Sequence, residues 1–158
     1  MKFSPRSRFL LHIGISAAAG IVIGGYLFAD TQPRSFLAFH KCEGTCLDVN
    51  ELIGLAASAG IQKLAFMAAP VVIRETEKTV VIRHPFPVAE LHYVVIPKKD
   101  IQDAADITDA DKEYLFDAYA AMRDIIRKEN LFAYKIITNG PGFQTVNYLH
   151  FHLIADLE

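Results

Sequence analysis

The chain has 158 residues, a formal net charge of −2 and a sequence pI near 6.3. That length suits one domain of ordinary size plus an extra segment, and the lack of a basic excess argues against a nucleic-acid surface. The apolar share of 52% is high for a small soluble domain, and the excess is concentrated at the start.

Residues 1–8 form a short basic N-terminus (Lys2, Arg6, Arg8), and residues 9–29 then run without a formal charge. As a helix rising ~1.5 Å per residue, this stretch spans about 30 Å, the thickness of a bilayer's hydrocarbon core. A cleaved signal peptide is the competing reading, but its apolar region is usually about 7 to 15 residues and ends in a small-x-small site. Here Leu27 occupies the position three back from a cut after Ala29. The expectation is an uncleaved transmembrane anchor. The basic residues before the span, against Arg34 and Lys41 after it, put the N-terminus in the cytoplasm and the domain on the extracytoplasmic side. Ser16, Gly20 and Gly24 recur every four residues, a small-xxx-small spacing that permits an anchor dimer and hence a homodimer.

Residues 30–69 read as a polar connector followed by an amphipathic helix. The connector holds His40, Cys42 and Cys46, the cysteines being the only two in the chain; a small-loop disulfide, free thiols and a metal site all remain open. Asp48 with Glu51 three residues on forms a capping box for a helix over 48–69, with Leu52, Leu55, Ala56, Ala59 and Lys63 as its stripe and Pro70 as its stop. Whether that helix packs on the domain, on a second subunit or on a membrane surface is not decided by the pattern.

The domain proper takes residues 70–158. The β-branched runs 71–73 and 79–82 flank a charged turn and predict a hairpin. Tyr93 to Ile96 predicts a third strand stopped by Pro97, with His92 at its mouth. Thr108 is placed to cap a long helix reaching about Glu129, whose buried stripe is Leu115, Tyr119, Met122 and Ile126. Tyr134 to Thr138 predicts a fourth strand, 139–143 a glycine-proline turn, and Tyr148 to Ala155 a fifth. The sum is an α+β, two-layer domain with one antiparallel sheet of about five strands and helices against it. On the last strand the period of two sends His150 and His152 to one face and Leu149, Phe151 and Leu153 to the other.

The stretch Gln144-Thr145-Val146-Asn147-Tyr148-Leu149-His150-Phe151-His152-Leu153 resembles the signature of the histidine triad family. Leu91-His92-Tyr93-Val94-Val95-Ile96-Pro97-Lys98-Lys99 and Ile136 to Phe143 resemble two further blocks of that family in the same order. Two positions depart from its pattern. Tyr148 stands for the first histidine of the triad, and ungapped counting back from His92 puts His84 where nucleotide-binding relatives carry the acidic residue that holds the ribose hydroxyls. The first departure removes a histidine that some relatives use with a cysteine pair to hold zinc, while Tyr148 keeps the backbone carbonyl that orients the next histidine.

The resemblance implies a nucleotidyl hydrolase or transferase acting on a nucleoside phosphoramidate, a dinucleoside polyphosphate or a related anhydride, with no metal or other cofactor required. His150 would be the nucleophile, His152 and His92 would donate to the phosphate oxygens, Asn139, Gln144 and Thr145 would complete a donor cradle, and His84 would lie at the sugar. Neutral imidazoles near pKa 6.5 suit both attack and proton donation. Two alternatives belong to other classes: a zinc-dependent hydrolase built on His92, His150 and His152, and a nucleotide-binding module without turnover.

Overall fold

A computed structural model describes residues 5–35, 47–63 and 71–156, in two compact units divided after Asp30. The first unit is one helix, α1 (Pro5–Phe28), of 24 residues with no buried side chain. By length and composition it is able to cross a membrane, a property shared by membrane spans and N-terminal signal sequences. His40, Cys42, Cys46 and residues 64–70 lie outside the described residues, and with them the disulfide, thiol and metal readings of the cysteine pair.

The second unit contains α2 (Val49–Lys63), β1 (Val72–Glu75), β2 (Thr79–Arg83), β3 (Leu91–Pro97), α3 (Lys112–Lys128), β4 (Lys135–Ile137) and β5 (Phe151–Ala155). The strands form one five-stranded antiparallel sheet in the order β1-β2-β3-β5-β4. Alternation along β3 and β5 sorts the side chains. Tyr93, Val95, Phe151 and Leu153 pack with Ala118, Ala121, Met122 and Ile125 of α3, and Val81, Leu91, Ile101, Leu149 and Ala155 complete this core. The other face carries His92, Val94, Ile96 and His152, and there Val94 and Ile96 pack with Tyr148, Ile82, Val146 and Ile61 of α2.

Several boundaries and faces differ from expectation. The stripe of α3 centres on alanines, which let the helix lie close to the sheet. Tyr119 stays 51% exposed, with its ring 5.5 Å from Phe151. Thr108 does start the helical segment, through a reciprocal box with Asp111, but the first turn is a 3₁₀ turn that feeds into α3. Asn130, at φ 51°, ends it in a left-handed cap with the Leu131 amide on the Ile126 carbonyl. β5 starts at Phe151 rather than Tyr148, because the Tyr148 amide turns back to the Val146 carbonyl instead of joining the ladder.

Helix α2 packs on the domain, with Ala59 the one fully buried member of the expected stripe. Gly54, Ser58 and Ala59 are its buried residues, whereas Leu52 is 40% exposed. Asp48 accepts the amides of Asn50 and Glu51 as an N-cap, while the Glu51 side chain turns inward to Asn147 and Arg34 rather than closing a box. Gly54 is where the helix meets the segment before β5: a Cβ there would lie 2.7 Å from the Asn147 carbonyl oxygen and 2.8 Å from Arg34, whereas one on Gly60 would meet nothing within 4 Å. In an exposed helix Gly→Ala stabilises by about 1 kcal/mol. Gly54→Ala is expected to reverse that sign and destabilise by about 1–3 kcal/mol through overpacking, with Gly60→Ala neutral or stabilising. Urea denaturation of the two variants side by side reads the difference.

Candidate active site

The pairing of β3 with β5 sets Val94 opposite His152, so His92, two residues before Val94 on the same face, is diagonal to His152. His92 Nε2 lies 2.9 Å from His152 Nδ1. Just past β2, the His84 amide donates to the His92 carbonyl at 2.9 Å, and the His84 ring stacks on His92 with centroids 4.1 Å apart and 3° between planes. His150 stands edge-on to His152 at 5.0 Å. Four imidazoles drawn from three separate stretches of chain therefore share one patch of the sheet.

Hydrogen bonds dictate which nitrogen of each ring carries a proton. His150 Nδ1 lies 2.6 Å from the Tyr148 carbonyl, which only accepts, so Nδ1 is protonated and Nε2 keeps its lone pair. The Val88 amide, a donor only, points at His92 Nδ1 from 3.3 Å. His92 therefore holds its proton on Nε2 and donates it to His152 Nδ1, which leaves His152 with a free Nε2–H. The result is a nucleophile-type nitrogen on His150 beside a donor-type nitrogen on His152.

His84, His150 and His152 line a cavity of about 680 Å³ together with Asn139, Gln144 and Thr145. Ile61, Ile82, Val94, Ile96 and Val146 form an apolar wall, and no described lining residue carries a formal charge. Phe86 and Phe143 line the cavity while 80% and 87% exposed, and so form its rim. A larger depression of about 780 Å³ beside α3 holds no histidine, so size alone does not locate the chemistry.

Two of the sequence assignments change in this setting. His92 is buried behind His152, with its Nε2 on His152 Nδ1, and is not part of the cavity lining. The Gln144 amide nitrogen is already spent on the Gln102 carbonyl at 3.3 Å and Asn147 Oδ1 at 3.4 Å. Its free oxygen is an acceptor, the wrong polarity for a phosphate. Gln144 therefore braces the turn, and Asn139 and Thr145 are left as side-chain donors along that wall.

Burial, reinforced by the neighbouring rings of His150, His92 and His84, pushes the His152 pKa down to about 4, and burial followed by the nearness of His84 lowers His92. Both rings are neutral at pH 7 in the free protein. In each the folded pKa lies below the unfolded value near 6.5, so the contribution to stability is complete above that pH and is lost as the pH falls through the folded value, about 4 for His152. A melting temperature that declines from pH 6.5 to 4, with part of the slope removed in His152→Asn, is the expected result. A flat profile in the wild type would contradict it.

Nitrogens of His84, His92 and His152 lie within 4.8 Å of one another, close enough to hold a metal ion. The hydrogen bonds do not fit that use. A ligating histidine normally donates its other ring N–H to an acceptor, whereas Nδ1 of both His84 and His92 accepts a backbone amide, from Phe86 at 3.0 Å and from Val88 at 3.3 Å. The nitrogens that would face a metal are then the protonated ones. The group close enough for a metal contains His84 in place of His150, and so differs from the zinc trio His92, His150 and His152, although all four rings share the patch.

Residues 62–158 match the family described as the C-terminal binding domain of the scavenger mRNA decapping enzyme. The chain belongs to this family and is a histidine triad superfamily member. Over 86 residues it is 35% identical to an uncharacterized HIT-like protein of Chlamydia trachomatis, covering 51% of this chain and 76% of that one. It is 29% identical over 87 residues to an adenosine 5'-monophosphoramidase of Mus musculus, spanning 53% of each chain. Among solved structures, a HIT family hydrolase from Clostridium thermocellum superposes with a TM-score of 0.55 at 27% identity, covering 61% of this chain and 88% of that one. One from Legionella pneumophila superposes at 0.54 and 30%, covering 59% and 88%. The five-stranded sheet with its helices is thus the histidine triad fold, as the sequence blocks imply.

Proposed function

We propose that this histidine triad protein is a nucleotidyl hydrolase or transferase that cleaves the P–N bond of a nucleoside phosphoramidate, or the P–O–P bond of a dinucleoside polyphosphate, through a covalent adduct on His150. The observation that carries the reading is the contact between His150 Nδ1 and the Tyr148 carbonyl, which presents an unprotonated Nε2 at the cavity. Nε2 attacks phosphorus as the bond to the leaving group breaks. The neutral His152 Nε2–H donates a hydrogen bond to the leaving atom, which takes its proton from water; the hydroxide left behind then attacks phosphorus, releases the nucleotide and regenerates the free imidazole. His92 supports His152 from behind, while Asn139 and Thr145 donate to the developing charge. Helix α1 would hold the domain at a membrane, on the extracytoplasmic side by its flanking charges.

The cavity supports a particular use of His84. With no carboxylate among its described lining residues, and with His84 Nδ1 engaged by Phe86, nothing offers the paired acceptor that a ribose diol prefers. Adenosine 5'-phosphoramidate and its 2',3'-dideoxy analogue are therefore expected to react with kcat/KM within about threefold, well under 1.4 kcal/mol apart; a tenfold preference for the ribose form would remove His84 from the sugar site. The test of the reaction itself is denaturing mass spectrometry of the protein quenched with substrate. A nucleotidyl mass increment, acid-labile and mapped to His150, is expected. Binding with no adduct at any quench time would leave a nucleotide-binding module instead.

A further inference from the structure

Arg34, on the stretch of chain before α2, has a fully buried side chain. Its guanidinium donates Nη2 to Asp100 Oδ1 and Nη1 to the carbonyl oxygen of Asn147, three residues before His150. Asp100 is 2% exposed, and its second oxygen accepts from Ser58 Oγ and from the Gln32 amide, each at 2.8 Å. An ion pair this deep gives up two hydration shells, and its replacement by apolar residues is often neutral for stability. What it supplies here is direction.

The Asn147 carbonyl shares a rigid peptide plane with the Tyr148 amide. The next plane holds the Tyr148 carbonyl together with the Leu149 amide, and that amide donates to the Ile101 carbonyl at 2.7 Å, on the residue following Asp100. Arg34 therefore grips the first plane directly and the second through the Asp100–Ile101 segment. Between them these two planes set both backbone angles of Tyr148 and aim its carbonyl at His150 Nδ1. We propose that Arg34 is a positioning residue for His150, acting with Asp100 to hold the Tyr148 carbonyl that sets the ring's orientation and tautomer.

The proposal rests on the catalytic reading of His150 for its kinetic consequence, but not for its structural one. The test compares full-length wild type with Arg34→Met, with Arg34→Met/Asp100→Leu and with Arg34→Lys, each followed by melting temperature, kinetics and ¹⁵N resonances of the His150 ring. Arg34→Met strands a buried carboxylate and is expected to melt much earlier. The double variant removes both charges of that pair, leaving Glu51, partly exposed and still accepting from the Asn147 side chain, and is expected to recover most of that loss. Its kcat should nevertheless stay about 10- to 100-fold low with KM within threefold, as 1 Å displacements do, and its His150 ring should show mixed tautomers where the wild type shows only Nδ1–H. A double variant that melts like the wild type and keeps both kcat and the Nδ1–H signature overturns the proposal. Should the double variant fail to fold, Arg34→Lys decides on the same resonances, since one ammonium reaches the two acceptors less well than a fork: an unchanged tautomer overturns the proposal and a mixed one supports it. If the wild type turns over no substrate, the catalytic reading fails while the tautomer comparison still judges Arg34.

Discussion

His150→Ala is expected to lower kcat by on the order of 10⁴-fold or more, as removal of a covalent nucleophile does elsewhere, while leaving nucleotide affinity within a few-fold. The reasoning is geometric. Of the four rings in the patch, His150 is the one whose Nδ1 is committed to a backbone carbonyl, and therefore the one whose free lone pair is fixed by the fold rather than by chance. His152 cannot replace it, because its Nδ1 already accepts from His92 and its Nε2 is the protonated nitrogen. The ring is only half-buried and lies outside both core clusters, so its loss should leave the melting temperature nearly unchanged. Steady-state kinetics with adenosine 5'-phosphoramidate and an equilibrium titration with AMP separate the two quantities. A variant retaining a tenth of wild-type kcat would exclude the covalent route. His152→Asn should cost less, roughly 10²- to 10³-fold, since it displaces one hydrogen-bond donor to the developing charge rather than the attacking atom.

Tyr148→Ala is expected to have the largest effect on stability, about 3–5 kcal/mol. Tyr148 is 1% exposed and packs against Val94 and Ile96, and its hydroxyl donates to the Pro97 carbonyl at 2.9 Å. Burial, with the charge of Asp100 nearby, pushes the phenol pKa up, so the hydroxyl remains a neutral donor at any working pH. Alanine leaves a cavity and an orphaned carbonyl together. Tyr148→Phe keeps the ring and loses only the donor, for roughly 1–3 kcal/mol. Because every residue type has the backbone carbonyl used by His150, folded Tyr148→Phe should keep kcat within a few-fold. Guanidinium melts and kinetics at a temperature where both proteins are folded provide the check. Activity lost with the hydroxyl alone would mean that the phenol, and not the carbonyl, serves the chemistry.

The tyrosine also shows where sequence reading succeeds and where it stops. Period-two alternation assigns His152 and Leu153 to opposite faces because a strand's pleat is a local property. Extended back to Tyr148 the rule still gives the face, since Tyr148 packs on Val94 and Ile96 and Leu149 in the opposite core, but not the length of the strand: the segment leaves the ladder at His150, and Tyr148 is buried by α2 and the β3 end. For α2 the apolar spacing pointed to Leu52 as well as Ala59, yet Ala59 is buried with Gly54 and Ser58 while Leu52 is not, since what lies opposite is a backbone carbonyl and a carboxylate that leave no room for a large side chain.

By itself the amino-acid order determined the strand and helix succession, the apolar first helix, and the triad blocks with His92, His150 and His152. All of these are written in residues near one another along the chain. Only the folded chain decided that His84 stacks on His92, that Gln144 has no donor to spare, that the ring protons sit where they do, and that Arg34 reaches a carboxylate 66 residues away and a carbonyl 113 away. Those facts depend on which groups meet across the sheet and at the end of α2. A hydrogen-bond partner, unlike a periodicity, leaves no trace in the residues beside it.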